Sequence, residues 1–159
     1  MSKADQNDSE IYLGRLSDHL GFRLRRLQNE LARNYLLSIK HLNVRPGVAS
    51  ILELVNVNPG ISQVKLGQEM GMDKSAVGIL VDDLEERGYI ERRRSKQDRR
   101  NYELTLTQQG RVLIDDLFEE LKKTERHALA VLEPHELASI GRILDKVYHN
   151  YVRSSVKDR

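Results

Sequence analysis

The sequence predicts a mostly helical fold in which a helix-turn-helix and a two-stranded hairpin sit between longer terminal helices. Three observations carry this prediction. Apolar residues recur every three or four positions through most of the chain. Between Ser62 and Arg87 two such segments meet at Gly71, across a turn too short to let them lie antiparallel, so they must cross steeply. After Gly88 the period drops to two: Tyr89 to Arg94 and Tyr102 to Leu106 read as paired strands around a polar, cationic tip. A hairpin placed directly behind a helix-turn-helix is a wing, and the order becomes helix, helix, helix-turn-helix, wing, helix, helix.

The elements follow in chain order. Residues 1–9 are polar and are expected to form a flexible N-terminus. From Glu10 to about Ile39, Leu13, Leu16, Leu20, Leu24, Leu27 and Leu31 set a helical stripe, which as one helix would run roughly 45 Å at 1.5 Å per residue. Pro46 suits a first helical turn, with Val48, Ile51, Leu52 and Val55 facing the core, and Asn58, Pro59 and Gly60 close that helix. Ser62 is placed to cap the next, with Ile61 and Leu66 as a hydrophobic staple, and Gly67 leaves room for a close crossing. Asp73 caps the helix from about Lys74 to Arg87. Its apolar stripe, Val77, Leu80, Val81 and Leu84, leaves Lys74, Ser75 and Gly78 toward solvent. In the second strand Tyr102, Leu104 and Leu106 are expected inward, Glu103 and Thr105 outward. Thr107 caps a fifth helix carrying Leu113, Leu117, Leu121, Ala128 and Leu132. A sixth, after Pro134, carries Leu137, Ile140, Leu144, Val147 and Tyr151.

Composition removes several function classes. With 159 residues the chain suffices for one domain or two subdomains sharing a core. It has no cysteine, which excludes disulfides, thiol chemistry and every Cys-containing zinc site. No apolar run is long enough to span a bilayer and the polar N-terminus has no signal-peptide core, so a cytoplasmic protein without a membrane partner is expected. The five histidines, His19, His41, His127, His135 and His149, never fall at i, i+4, and no metal site is expected. There is no Gly-rich phosphate loop and no defensible nucleophile constellation. Catalytic residues, an enzymatic role and a cofactor are therefore not expected. The acidic residues Asp115, Asp116, Glu119 and Glu120 are spaced as a solvated helix face.

Charge points to the partner. The run Glu91 to Arg100 holds six cations and two acids, a net of +4 within a chain whose total is +2. Concentrated behind a helix-turn-helix, that charge is a field aimed at double-stranded DNA. The terminal stripes are longer than the centre can cover, and a second copy of the chain would shelter them. A twofold dimer would also set two recognition helices about one turn of DNA apart. The expected organisation is thus 10–42 and 108–154 as dimerisation helices and 46–106 as the winged helix-turn-helix.

The segment Asp73 to Gly110, DKSAVGILVDDLEERGYIERRRSKQDRRNYELTLTQQG, resembles the signature of MarR-type regulators: a capped recognition helix, VDDLEERGYIER leading into the first wing strand, an Asp-x-Arg at the wing, and LTLTQQG opening the next helix. Helix order and length extend the resemblance over nearly the whole chain. It implies a homodimeric repressor or activator, with a repressor the favoured reading, on a pseudo-palindromic site. It further implies a small-molecule effector, an aromatic acid or its thioester, in a cleft between the dimerisation helices and the winged domain. Carried onto this chain, Lys74, Ser75, Ala76 and Gly78 fall on the groove-facing start of the recognition helix. Arg94, Lys96, Asp98, Arg99 and Arg100 belong to the wing, where Arg100 would enter the minor groove and Asp98 would orient it. One departure stands out: the family often has Thr then Arg after the recognition-helix Val, whereas Gly78 and Ile79 follow Val77 here. Base readout would then lean on Lys74, Ser75 and DNA shape. For an anionic effector, His19, Arg23 and Arg26 near Leu20, Phe22 and Leu24, with Arg45 at the entry to the next helix, are the candidate residues. The alternatives are an architectural DNA-binding protein without an effector and, further off, a small enzyme.

Overall fold

The computed structural model describes residues 11–95 and 102–157, with side chains described as far as Tyr151. Six helices and three short strands follow in the order α1 (Leu20–Ser38), α2 (Val48–Val57), β1 (Ile61–Ser62), α3 (Gln63–Met70), α4 (Lys74–Glu86), β2 (Ile90–Arg94), β3 (Tyr102–Leu106), α5 (Gln108–Leu129) and α6 (Pro134–Lys157). The winged helix-turn-helix is present with every helix expected from the periodicity.

The core is where the stripes converge. Val48, Ile51, Leu52 and Val55 of α2, Leu66 of α3, Val77, Leu80, Val81 and Leu84 of α4, Ile90, Leu104 and Leu106 of the sheet, and Leu113, Ile114 and Leu117 of α5 are buried together. α1 joins them from the side through Tyr35, whose hydroxyl donates to the Leu117 carbonyl of α5 at 3.3 Å, and the buried Ile39 follows directly after the helix. At the opposite end of α4, Gly88 and Tyr89 return their backbone N–H groups to Glu85 and Leu84 and lead the chain into β2. Thr107 then caps α5, accepting from Gly110 N–H at 3.0 Å while its hydroxyl donates to the Gly88 carbonyl at 2.7 Å. Gly110 lets α5 start hard against the sheet, since a Cβ there would lie 2.2 Å from the Tyr89 carbonyl oxygen.

Four details differ from expectation. The stretch from Glu10 to Ile39 is not one helix: a 3-10 turn at Gly14–Asp18 and an extended His19 precede α1. Gly14 adopts a left-handed φ of 53°, and Ser17 Oγ donates to its carbonyl at 2.8 Å, so local hydrogen bonding competes with helix continuation. α2 begins at Val48, so Pro46 lies in the turn before the helix rather than inside its first turn. A third strand appears, β1, antiparallel to β3 with Ile61 opposite Leu104, giving a sheet order β1-β3-β2. Finally, Tyr102 is 44% exposed; the register sets it opposite Arg94, beyond the edge of the core that Leu104 and Leu106 enter.

The last helix leaves the core. From Pro134 to Tyr151 no residue of α6 is buried, although Leu137, Ile143, Leu144, Val147, Tyr148 and Tyr151 lie along it. α1 repeats the pattern, with Leu20, Leu24, Leu27 and Leu37 exposed.

Candidate nucleic-acid interface

The helix-turn-helix is held by its caps and one close approach. Ser62 Oγ accepts from Lys65 N–H at 3.3 Å and Asp73 Oδ1 from Ala76 N–H at 2.9 Å, satisfying a donor at the start of α3 and of α4. Between them Gly71 takes a left-handed φ of 61°, and Met72 N–H returns to the Gly67 carbonyl at 3.0 Å. A Cβ on Gly67 would lie 3.2 Å from Met72 O and 3.3 Å from Val77 Cγ2, so the helices cross at near contact there.

With Val77, Leu80, Val81 and Leu84 buried, the opposite side of α4 faces out. Lys74 and Ser75 are exposed, and Ala76 and Gly78 are half-buried with side chains no longer than a methyl, the Gln63 amide lying 3.4 Å from where a Cβ on Gly78 would sit. Backbone can therefore approach closely at the helix start, and the ammonium group of Lys74 stands beside it.

The wing's basic run divides into two roles. Arg92 turns back from β2 onto α4, pairing with Asp82 and, at 3.2 Å, with Glu85, and its side chain is 19% exposed. It fastens the wing's first strand to the recognition helix. Arg93 pairs with Glu91 at 3.0 Å on the exposed face, and Arg94 is exposed at the end of β2. Lys96, Asp98, Arg99 and Arg100 lie outside the described residues. A further link went unseen in the sequence. Arg87, at the end of α4, donates to the Asn43 carbonyl at 2.8 Å and stacks on Tyr89 with 5.1 Å to the ring centroid. It ties the recognition helix to the turn that joins α1 to α2. Only its place at a helix C-terminus, where cations are favoured, pointed to it.

A cleft of ≈ 380 Å³ opens where α1, α2 and α5 meet. Its walls are largely apolar, from Leu31, Leu36, Ala49 and Leu121, with Gln28, Tyr35, Ser50 and Thr124 as neutral polar groups and the carboxylate of Glu125 as the charged one. Burial and then the nearby carboxylate of Glu120 push the Tyr35 phenol above its ordinary range, so it remains a neutral hydroxyl. The candidate effector cations stand apart. Arg45 precedes Pro46, a lining residue, whereas His19, Arg23 and Arg26 are exposed near the start of α1. There Arg23 Nε donates to the Ser17 carbonyl at 2.7 Å and Arg26 lies over Phe22 at 5.9 Å. Among the described residues no group of histidine, aspartate and glutamate could hold a metal ion, and no helix is long and apolar enough to cross a membrane.

Comparison with known proteins matches this geometry to one group. A family model described as MarR family matches residues 42–101. A putative transcriptional regulatory protein for the hcr operon of Thauera aromatica is 31% identical over 146 residues, spanning 91% of this chain and 88% of that protein. Among solved structures, the transcriptional repressor CouR bound to a 23-mer DNA duplex is similar at 28% identity with a TM-score of 0.80, over 88% of this chain and 99% of that one. The PcaV transcriptional regulator from Streptomyces coelicolor, in complex with its natural ligand, is similar at 25% identity with a TM-score of 0.73, over 87% of this chain and 98% of that one.

Proposed function

From the fact that this chain belongs to the MarR family of DNA-binding transcriptional regulators, we infer that it acts as a homodimeric repressor on a pseudo-palindromic promoter site. A small molecule with an aromatic body, an aromatic acid or its thioester, modulates that binding. Residues 46–106 read the DNA, while 10–42 and 108–154 pair two copies. The observation that carries the DNA reading is the capped, exposed start of α4, where Lys74 and Ser75 stand beside the short side chains of Ala76 and Gly78. The wing adds phosphate and minor-groove contacts from Arg94, Lys96, Arg99 and Arg100, with Asp98 orienting Arg100.

The cleft between α1, α2 and α5 supports the effector reading. It joins α1 and α5 of the pairing region to α2, the first helix of the reader, so a molecule seated there bears on the angle between the two regions. The relatives named as a DNA-bound repressor and as a ligand-bound regulator support the two halves of this reading.

The test is a binding titration across a salt series. On a selected site Arg100→Ala should weaken binding by about 1–3 kcal/mol, and bulk DNA should compete roughly a thousandfold less well than the site. Equal affinity of the variant and the wild type at every salt concentration would refute the wing assignment. Equal competition by bulk DNA would leave an architectural protein instead.

A further inference from the structure

Ile79 stands where neither folding nor solubility calls for it. Successive α-helical residues turn by about 100°, so with Val77, Leu80, Val81 and Leu84 buried, Ser75, Ile79, Asp82 and Glu86 run along the opposite side of α4. All four are exposed, and Ile79 is 53% exposed, the large hydrophobic of that helix that faces water among the described residues. A β-branched side chain in a helix interior slightly lowers helix propensity, and the exposed half of this one gains nothing from burial. Its exposed half is open to contact with something outside the protomer.

The surroundings narrow what that is. Ser75, Ala76 and Gly78 are short, so on this part of the helix the isoleucine is the protruding apolar group and an approaching surface meets it first. Asp82 and Glu86 follow on the same side and repel phosphate, although Asp82 is paired with Arg92. The usable face therefore ends at Ile79. A protein partner is disfavoured, because one isolated apolar side chain offers far less area than a stable interface needs, and the long apolar stripes lie on α1 and α6. In the major groove a single base edge is apolar, the 5-methyl group of thymine.

We propose that Ile79 is a specificity residue that packs on a thymine methyl, making one position in each half-site depend on thymine. This rests on the DNA-reading assignment above and adds base identity to it. The proposal needs no hydrogen bond from the side chain, so removing the methyl alone must abolish the contact while leaving base pairing intact.

The experiment selects a site from a random duplex pool with the full-length protein, then replaces each thymine singly by deoxyuridine. Affinity is measured by fluorescence anisotropy for wild type, Ile79→Val and Ile79→Ala. One uracil in each half-site should weaken wild type by about 3- to 10-fold. Ile79→Ala should lose a similar factor on the thymine duplex and be indifferent to that same uracil, with Ile79→Val between the two. If every uracil weakens wild type and Ile79→Ala by the same factor, or none weakens either, the proposal is wrong. A change in oligomeric state on Ile79→Ala would also overturn it, in favour of a second copy as the partner. Should no site be selected and no duplex bound, the DNA-reading assignment itself falls, an outcome separate from all of these. Unaltered far-ultraviolet circular dichroism guards the alanine variant, and the valine variant carries the test if alanine perturbs folding.

Discussion

At the scale of single residues, Gly110 is the glycine with least room for a side chain. A methyl placed there meets the Tyr89 carbonyl oxygen at 2.2 Å and Leu106 Cδ1 at 2.9 Å, so α5 would have to move off the sheet. Gly110→Ala should lower unfolding free energy by about 3 kcal/mol or more, read as a lower urea midpoint at unchanged slope. A loss of under roughly 0.5 kcal/mol would show that α5 does not start against Tyr89. Gly110 was legible only as the residue closing the LTLTQQG motif; the reason for it lies in a carbonyl 21 positions earlier, a contact made by folding. Arg92 teaches the same lesson from charge. In sequence it is one of six cations in a basic run, and nothing local marks it off. Its partners Asp82 and Glu85 lie a turn apart on α4, so the hairpin must fold back before the arginine becomes a structural tie. A one-dimensional count therefore overstated the charge the wing presents to DNA.

At the scale of elements, the reader's helices were legible because their ends are encoded by adjacent residues: Ser62, Asp73 and Thr107 each satisfy a backbone donor three positions on. β1 was not legible, since two residues have no period and the strand exists only because β3 is there to pair with. The break before α1 was hidden for the opposite reason. The leucine spacing continues through a 3-10 turn, so periodicity alone extended the helix across His19. Packing of α1 on α5 has its own handle in Tyr35. Its phenol is raised above the ordinary value of 10.0 by burial and by Glu120, so the folded state keeps its proton where the unfolded chain releases it. The associated stability is fully present below pH 10 and falls as the pH rises through that value toward the folded pKa. Tyr35→Phe should cost about 1 kcal/mol at neutral pH by removing the bond to the Leu117 carbonyl. The variant should also lose part of the alkaline destabilisation, so denaturant midpoints of the two proteins converge from pH 9 to pH 11. Parallel curves would mean that Tyr35 titrates alike in both states.

At the scale of the molecule, the protomer has a closed centre and two open ends. The reader, from α2 to the sheet, is packed on the first half of α5, whereas α6 offers Leu144, Val147 and Tyr148 to water at 43, 49 and 57% exposure. A helix this long with an apolar stripe and no buried residue as far as Tyr151 depends on tertiary or quaternary packing for its stability. The proposed pairing of two copies through α1 and α6 supplies that packing, and couples it to DNA binding, because one reader alone holds only half of a twofold site. The double variant Leu144→Glu, Val147→Glu puts two charges into that seam while leaving the buried centre untouched. By sedimentation it should shift the protein from dimer to monomer, with a fall in site affinity of about a hundredfold or more as the linkage between half-sites is lost. Residual binding should approach that of wild type for bulk DNA. If the variant instead remained dimeric and bound its site at full affinity, the seam would lie elsewhere, and α6 would need another partner to cover its leucines.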